Sequence, residues 1–143
     1  MAEKIVSRPK DVEFPIWCSI STRNCLRPIE KEVVYCLEVP ENHIIYFDGY
    51  KWDYVLNYLY IPKNEEDEKA YQKQIKELPV TDEFNFIRGK YKGQYPFIEK
   101  KIRESWTRIF EIEEWNDFKV QGNIWEIKKE WVKKIVLPGD SIE

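Results

Sequence analysis

The sequence predicts an α+β fold: a mostly antiparallel sheet of about five strands, with two helices packed on it and a third helix on the surface. Three observations carry that expectation. The run His43–Ile61 passes from a β-branched and aromatic stretch, Ile44-Ile45-Tyr46-Phe47, directly into helical spacing at Trp52, Val55, Leu56 and Leu59, with Asp48 placed between them as a helix N-cap. Val33 to Val39 alternates cleanly, Val33, Tyr35, Leu37 and Val39 on one side and Val34, Cys36 and Glu38 on the other. Aromatic residues make up 15% of the chain, against one Met and five Gly, so the core is built from rings and β-branched side chains, which suit a sheet better than a helical bundle.

The elements follow in order. Residues 1–13 are polar and read as an N-terminal arm, and residues 14–138 as a single α+β domain, which 143 residues suffice to build with a sizeable core. Residues 139–143 form a C-terminal tail. Phe14 to Ile20 is a short strand after Pro15, Ser21 to Glu32 a polar loop, Val33–Val39 a second strand and Ile44–Phe47 a third. The turn Pro40-Glu41-Asn42 is short enough for the second and third strands to pair as a hairpin. A helix over 50–60 ends at Pro62. Asn64 caps another over 65–78, whose first turn, Glu65 to Glu68, complements the helix dipole. That helix is thinly apolar, so the surface is its expected place, and its acidic start reads as a solvated end. Residues 79–95 are irregular. Pro96 opens a helix over 97–109 with Ile98, Ile102, Trp106 and Ile109 in register, an acidic connection follows, and Phe118–Glu126 and Ile135–Leu137 are the last two strands.

Composition excludes several functions. A net charge of −3 argues against bulk electrostatic binding of nucleic acid. No stretch reaches the roughly 20 apolar residues of a membrane span and no signal peptide is visible, so a cytoplasmic protein with no membrane partner is expected. Cys18, Cys25 and Cys36 lack CxxC spacing and only one His is present, so three reduced thiols, no metal site and no cofactor are expected. Cys25 has Arg23 and Arg27 as cationic neighbours. No phosphate loop, HExxH or GxSxG occurs, and no pair of carboxylates is brought together, so no residue is assigned a catalytic role.

Two places are the main candidates for binding, with Arg23 and Arg27 of the polar loop as further binding candidates. The Asp48-Gly49 corner sets a carboxylate beside the rings of Tyr50 and Trp52 at one rim of the sheet. The segment Arg88-Gly89-Lys90-Tyr91-Lys92-Gly93-Gln94-Tyr95 mixes cations, glycines and rings in the way that single-stranded nucleic acid or a phosphate requires, and is the expected mobile loop. Trp52, Trp106 and Trp125 read as core, and Trp17 and Trp115 are not assigned to either role.

Four blocks in the same order, Phe14-Pro15-Ile16-Trp17, Val39-Pro40 through Asn57, Ser105 to Phe110 and Val120-Gln121-Gly122-Asn123-Ile124-Trp125, resemble an uncharacterised prokaryotic and phage family, domain-of-unknown-function family 3841. The resemblance spans residues 14 to 136 and implies no established activity. It departs at the front, where a further strand and helix would precede Phe14, so a shortened form is expected. A more distant likeness is to ADP-ribosyltransferases, through Ser19-Ile20-Ser21-Thr22, Val34 to Pro40 and Val120-Gln121-Gly122-Asn123. It implies a cleft at Gln121 and Asn123, with Asn123 standing where the catalytic Glu would be. The function expected is that of a small cytoplasmic binding protein of phage or mobile-element type. It would occupy a partner protein or, through residues 88–95, a nucleic acid or nucleotide. The alternative is a nucleotide- or NAD-using transferase or hydrolase.

Overall fold

The computed structural model describes residues 5–142. Its strands are β1 (Ile16–Ser19), β2 (Val34–Leu37), β3 (Ile45–Asp48), β4 (Val120–Ile124) and β5 (Val132–Val136), and its helices α1 (Gly49–Leu56), α2 (Glu65–Lys76) and α3 (Pro96–Ser105). The fold is α+β as expected, with five strands, four of them inside the expected spans or within a residue of them, while β5 begins three residues earlier than Ile135–Leu137 and ends at Val136. Their partners differ. The strands form two sheets, one of order β1-β4-β3 and a two-stranded ribbon of β2 and β5. β1 runs antiparallel to β4 from Ile16↔Ile124 to Ser19↔Gln121, and β2 runs antiparallel to β5 with Val34↔Val136 and Tyr35↔Ile135.

The expected hairpin of β2 with β3 does not form. The connection folds as a 3-10 turn over Glu41–His43, closed by His43 N–H to Pro40 O at 2.9 Å and Ile44 N–H to Glu41 O at 3.1 Å. Past the end of β2, Glu38 N–H donates to Trp131 O at 2.8 Å, so the backbone is already committed toward β5. β3 goes instead to the sheet of β4, where Ile45, Phe47, Val120 and Ile124 are all buried.

The contacts divide the chain into two compact units: the described residues up to Phe47 together with those from Ile112 onward, and Asp48–Glu111. The first holds both sheets. Trp17 sits edge-on against Phe47 at 4.8 Å, and His43 lies 5.1 Å from Trp131. The indole of Trp125 donates to Val6 O at 2.8 Å, which ties the N-terminal arm down, and Ile142 is buried near the other end of the chain.

The second unit holds the helices. Its core joins Tyr60, Tyr71, Ile75, Phe86, Ile87, Tyr91, Ile98 and Ile102, with Tyr95 and Trp106 packed against it. α2 contributes only Tyr71 and Ile75, the thin apolar side the sequence allows it. α1 buries no residue fully and leaves Leu56 exposed, so the expected stripe is weaker than its spacing. It also stops before Pro62: Asn57 is the C-cap and Tyr58 turns left-handed at φ 60°, so the chain reverses on its own conformation. α3 is shorter than expected. It passes at Trp106 into a 3-10 turn over Trp106–Phe110 that packs on α1, and the indole of Trp106 donates to Leu59 O at 2.8 Å.

Candidate functional site

Asp48 is fully buried. Its Oδ1 accepts from Tyr50 N–H at 2.9 Å and Lys51 N–H at 3.2 Å, so the carboxylate caps α1 and offers no exposed atom to a ligand. Tyr50 is exposed and Trp52 half-buried, so of the corner's three candidates only Tyr50 presents most of its surface.

The segment 88–95 is built as a series of turns rather than as a free loop. Tyr91 N–H donates to Asn85 O at 3.2 Å, Lys92 N–H to Gly89 O at 3.1 Å and Gln94 N–H to Tyr91 O at 2.9 Å. The glycines have separate reasons: a Cβ at Gly89 would stand 2.0 Å from Asn85 Oδ1, and Gly93 is left-handed at φ 79°. Tyr91 is only 7% exposed and its ring contacts Phe86 and Tyr95, so the core holds the ring that was expected to stack on a base. Its hydroxyl meets Thr81 N–H at 2.9 Å and Thr81 Oγ1 at 3.1 Å. The Lys90 ammonium beside it, together with Thr81, lowers the phenol pKa to about 8 against the opposing effect of burial. Arg88 lies over the Tyr58 ring at 4.6 Å, Lys90 Nζ donates to Thr81 Oγ1 at 2.9 Å, and Lys92 is exposed.

In the first unit Arg23 pairs with Asp117 at 2.6 Å and holds that carboxyl below the usual range, aided by the Ser21 hydroxyl. Asn24 Nδ2 donates to Asp117 O at 3.1 Å, so this part of the 21–32 loop is anchored. Arg27 is exposed, and the Cys25 thiol donates to Thr22 O at 3.2 Å. Gln121 and Asn123 lie on β4 opposite Ser19 and Trp17. Asn123 is 7% exposed, so it occupies the interior of a strand pair.

What the fold does gather is the outer face of the ribbon. Val34, Cys36 and Val136 alternate toward the interior, and Val136 is fully buried. The opposite face carries Val33, Tyr35, Ile135 and Leu137, between 45% and 52% exposed, with Tyr35 directly across from Ile135. A half-solvated antiparallel sheet ordinarily turns polar residues outward. Here the outer face is apolar at these four positions, while charge enters the ribbon only toward its other end, at Lys134 opposite Cys36 and at Lys133, which pairs with Glu38 at 3.1 Å; each strand is an edge strand.

The second unit has a cleft of about 160 Å³ lined by the rings of Tyr54, Tyr60, Tyr71 and Phe84, with Glu68 and Gln72 as its polar groups. Tyr60 and Tyr71 are stacked at 4.2 Å and 19°. The Tyr60 hydroxyl donates to Asp67 Oδ2 at 2.7 Å, Lys63 N–H donates to the same oxygen at 2.9 Å, and Arg108 approaches it at 3.6 Å. Burial alone would raise the Asp67 pKa. The Lys63 N–H, the Tyr60 hydroxyl and the charges of Arg108 and Lys101 outweigh it and hold the carboxyl ionised, while burial keeps the Tyr60 phenol neutral.

Residues 1–133 match the family model described as Domain of unknown function (DUF3841). The chain belongs to that family. No curated protein and no solved structure matches it, so the ADP-ribosyltransferase resemblance gains no support. In this DUF3841 member no group of three or more His, Cys, Asp or Glu side chains is placed to hold a metal among the described residues, and no described helix is long and apolar enough to cross a membrane. The residues that sequence reasoning missed are Tyr35 and Ile135 on the ribbon and Tyr54, Tyr71, Phe84 and Glu68 at the cleft. The ribbon left a signal: Val33–Val39 is apolar on both sides of its alternation, with no charge before Glu38. The cleft left none, since its rings come from four separate segments.

Proposed function

We propose that this DUF3841 protein is a binding protein that acts by covering part of a partner protein, and that the outer face of the β2/β5 ribbon is the contact surface. One observation carries the reading: Val33, Tyr35, Ile135 and Leu137 form an apolar sheet face in water, where a surface sheet ordinarily shows polar residues. A second polypeptide can dry that face and add a strand to either edge, the combination by which exposed sheets recognise extended segments. Leu26 and Ile29, exposed in the loop before β2, add apolar side chains to the same stretch of chain. A phage or mobile-element setting is the one the sequence blocks imply. The loop 88–95 is a weaker candidate for nucleic acid, because its best stacking ring is committed to the core.

The test is a paired substitution that keeps the ribbon. Tyr35→Glu with Ile135→Lys places opposite charges across one cross-strand position, so sheet pairing is retained while the apolar face is lost. The variant is expected to unfold within about 0.5 kcal/mol of the parent, as exposed substitutions do. It is also expected to lose capture of the partner that the parent retains from host lysate. Capture that survives the pair of changes removes the ribbon from the reading.

A further inference from the structure

We propose that the aromatic cleft of the second unit receives the cationic side chain of a lysine or arginine presented by another polypeptide. Its size sets the scale: an apolar cavity of about 150 Å³ holds a benzene-sized group, so about 160 Å³ suits one side chain. The walls set the body of the ligand. Tyr60 and Tyr71, buried and stacked on one another, give apolar wall, while the exposed rings of Tyr54 and Phe84 suit an aliphatic stem and offer their faces to a cation. Tyr54 and Phe84 are 41% and 55% exposed, so the cleft is reached from solvent past rings.

Charge selects the head group. Glu68 is the only charged residue in the lining, and no described ion pair engages it. Its neighbours on α2 are otherwise occupied: Glu65 pairs with Lys69 at 2.6 Å, and Asp67 is bound by Tyr60, Lys63 and Arg108. The Glu68 carboxylate at the rim repels an anionic ligand and attracts a cationic head group. The same rings already host cations elsewhere on their surfaces, with Lys101 Nζ 5.4 Å from the Tyr60 centroid and 5.5 Å from that of Tyr71, and Arg108 5.3 Å from Tyr60. Arg108 is offset by Asp67, and Lys101 donates to Gln74 Oε1 at 3.1 Å.

The experiment titrates the full chain with n-butylammonium and n-butylguanidinium, and with n-butanol and butyrate as neutral and anionic counterparts, following amide NMR signals. The two cations are expected to shift Glu68, Tyr71 and Gln72 saturably. Glu68→Gln, a change on an exposed helix surface that leaves the fold intact, is expected to weaken them roughly threefold to tenfold, as is added salt. Tyr54→Ala is expected to weaken both cations by removing one wall. Butanol or butyrate binding as tightly as the cations overturns the proposal. So does the absence of any saturable shift, or an affinity that Glu68→Gln leaves unchanged.

Discussion

Single polar groups decide much of how the second unit holds together, and Ser105 is the clearest of them. It is 2% exposed, accepts from the buried Ile61 N–H at 2.9 Å and donates to Ile102 O at 2.7 Å. Ser105→Ala would leave that N–H buried without its acceptor, so a loss of about 1–3 kcal/mol is expected in chemical denaturation. Tyr91 is the group that ties stability to pH. Its folded-state pKa of about 8 lies below the ordinary value of 10.0, so the folded chain gives up the phenolic proton before the unfolded chain does. The stabilisation is complete above pH 10 and is lost as pH falls through about 8. Denaturation midpoints should therefore rise between pH 8 and 10 in the parent and lose that rise in Tyr91→Phe; parallel profiles would remove the Lys90 and Thr81 contacts as the cause. None of this was legible in Arg88 to Tyr95, whose composition reads as a polar loop. The direction of Tyr91 is set by Phe86 and Tyr95 and by Thr81, ten residues away, and periodicity within the segment carries no trace of them.

At the scale of elements, local chemistry was readable and pairing was not. The N-caps Asp48 and Asn64, the acidic first turn of α2 and Pro96 at the start of α3 are consequences of nearest neighbours, and all are found where the sequence puts them. The alternation in 33–39 gave β2 its place but not its partner, because β2 finds β5 nearly a hundred residues later instead of the strand next to it. Loop closure grows only with the logarithm of length, so the longer connection costs about 2–3 kcal/mol more than a short turn, a difference that packing can offset, and proximity in sequence does not by itself decide pairing. The turns of 85–94 belong to this scale too. Gly89→Ala would drive a methyl into the Asn85 side chain, whose Nδ2 donates to Asp82, and should destabilise the unit by about 1–3 kcal/mol. An unchanged thermal midpoint in that variant would show that the turn yields freely.

For the molecule as a whole, the strand-to-helix corner at Phe47–Asp48 matters more than its own contacts, since it is where the chain leaves one compact unit for the other. The unit with the sheets carries an exposed apolar ribbon face, and the unit with the helices carries the ring-lined cleft. Composition pointed to neither. With 34% charged residues and a net charge of −3, the chain as a whole reads as a well-solvated surface, and an apolar face becomes visible only when β2 and β5 are placed side by side. The claim that this face is a protein-binding surface is tested most directly by replacing Tyr35 with a photo-reactive phenylalanine analogue and irradiating the protein in its native cells. The account predicts a discrete covalent adduct with one partner polypeptide, absent when the analogue stands at the exposed Lys100 instead. No adduct from position 35, or the same adducts from both positions, would contradict it.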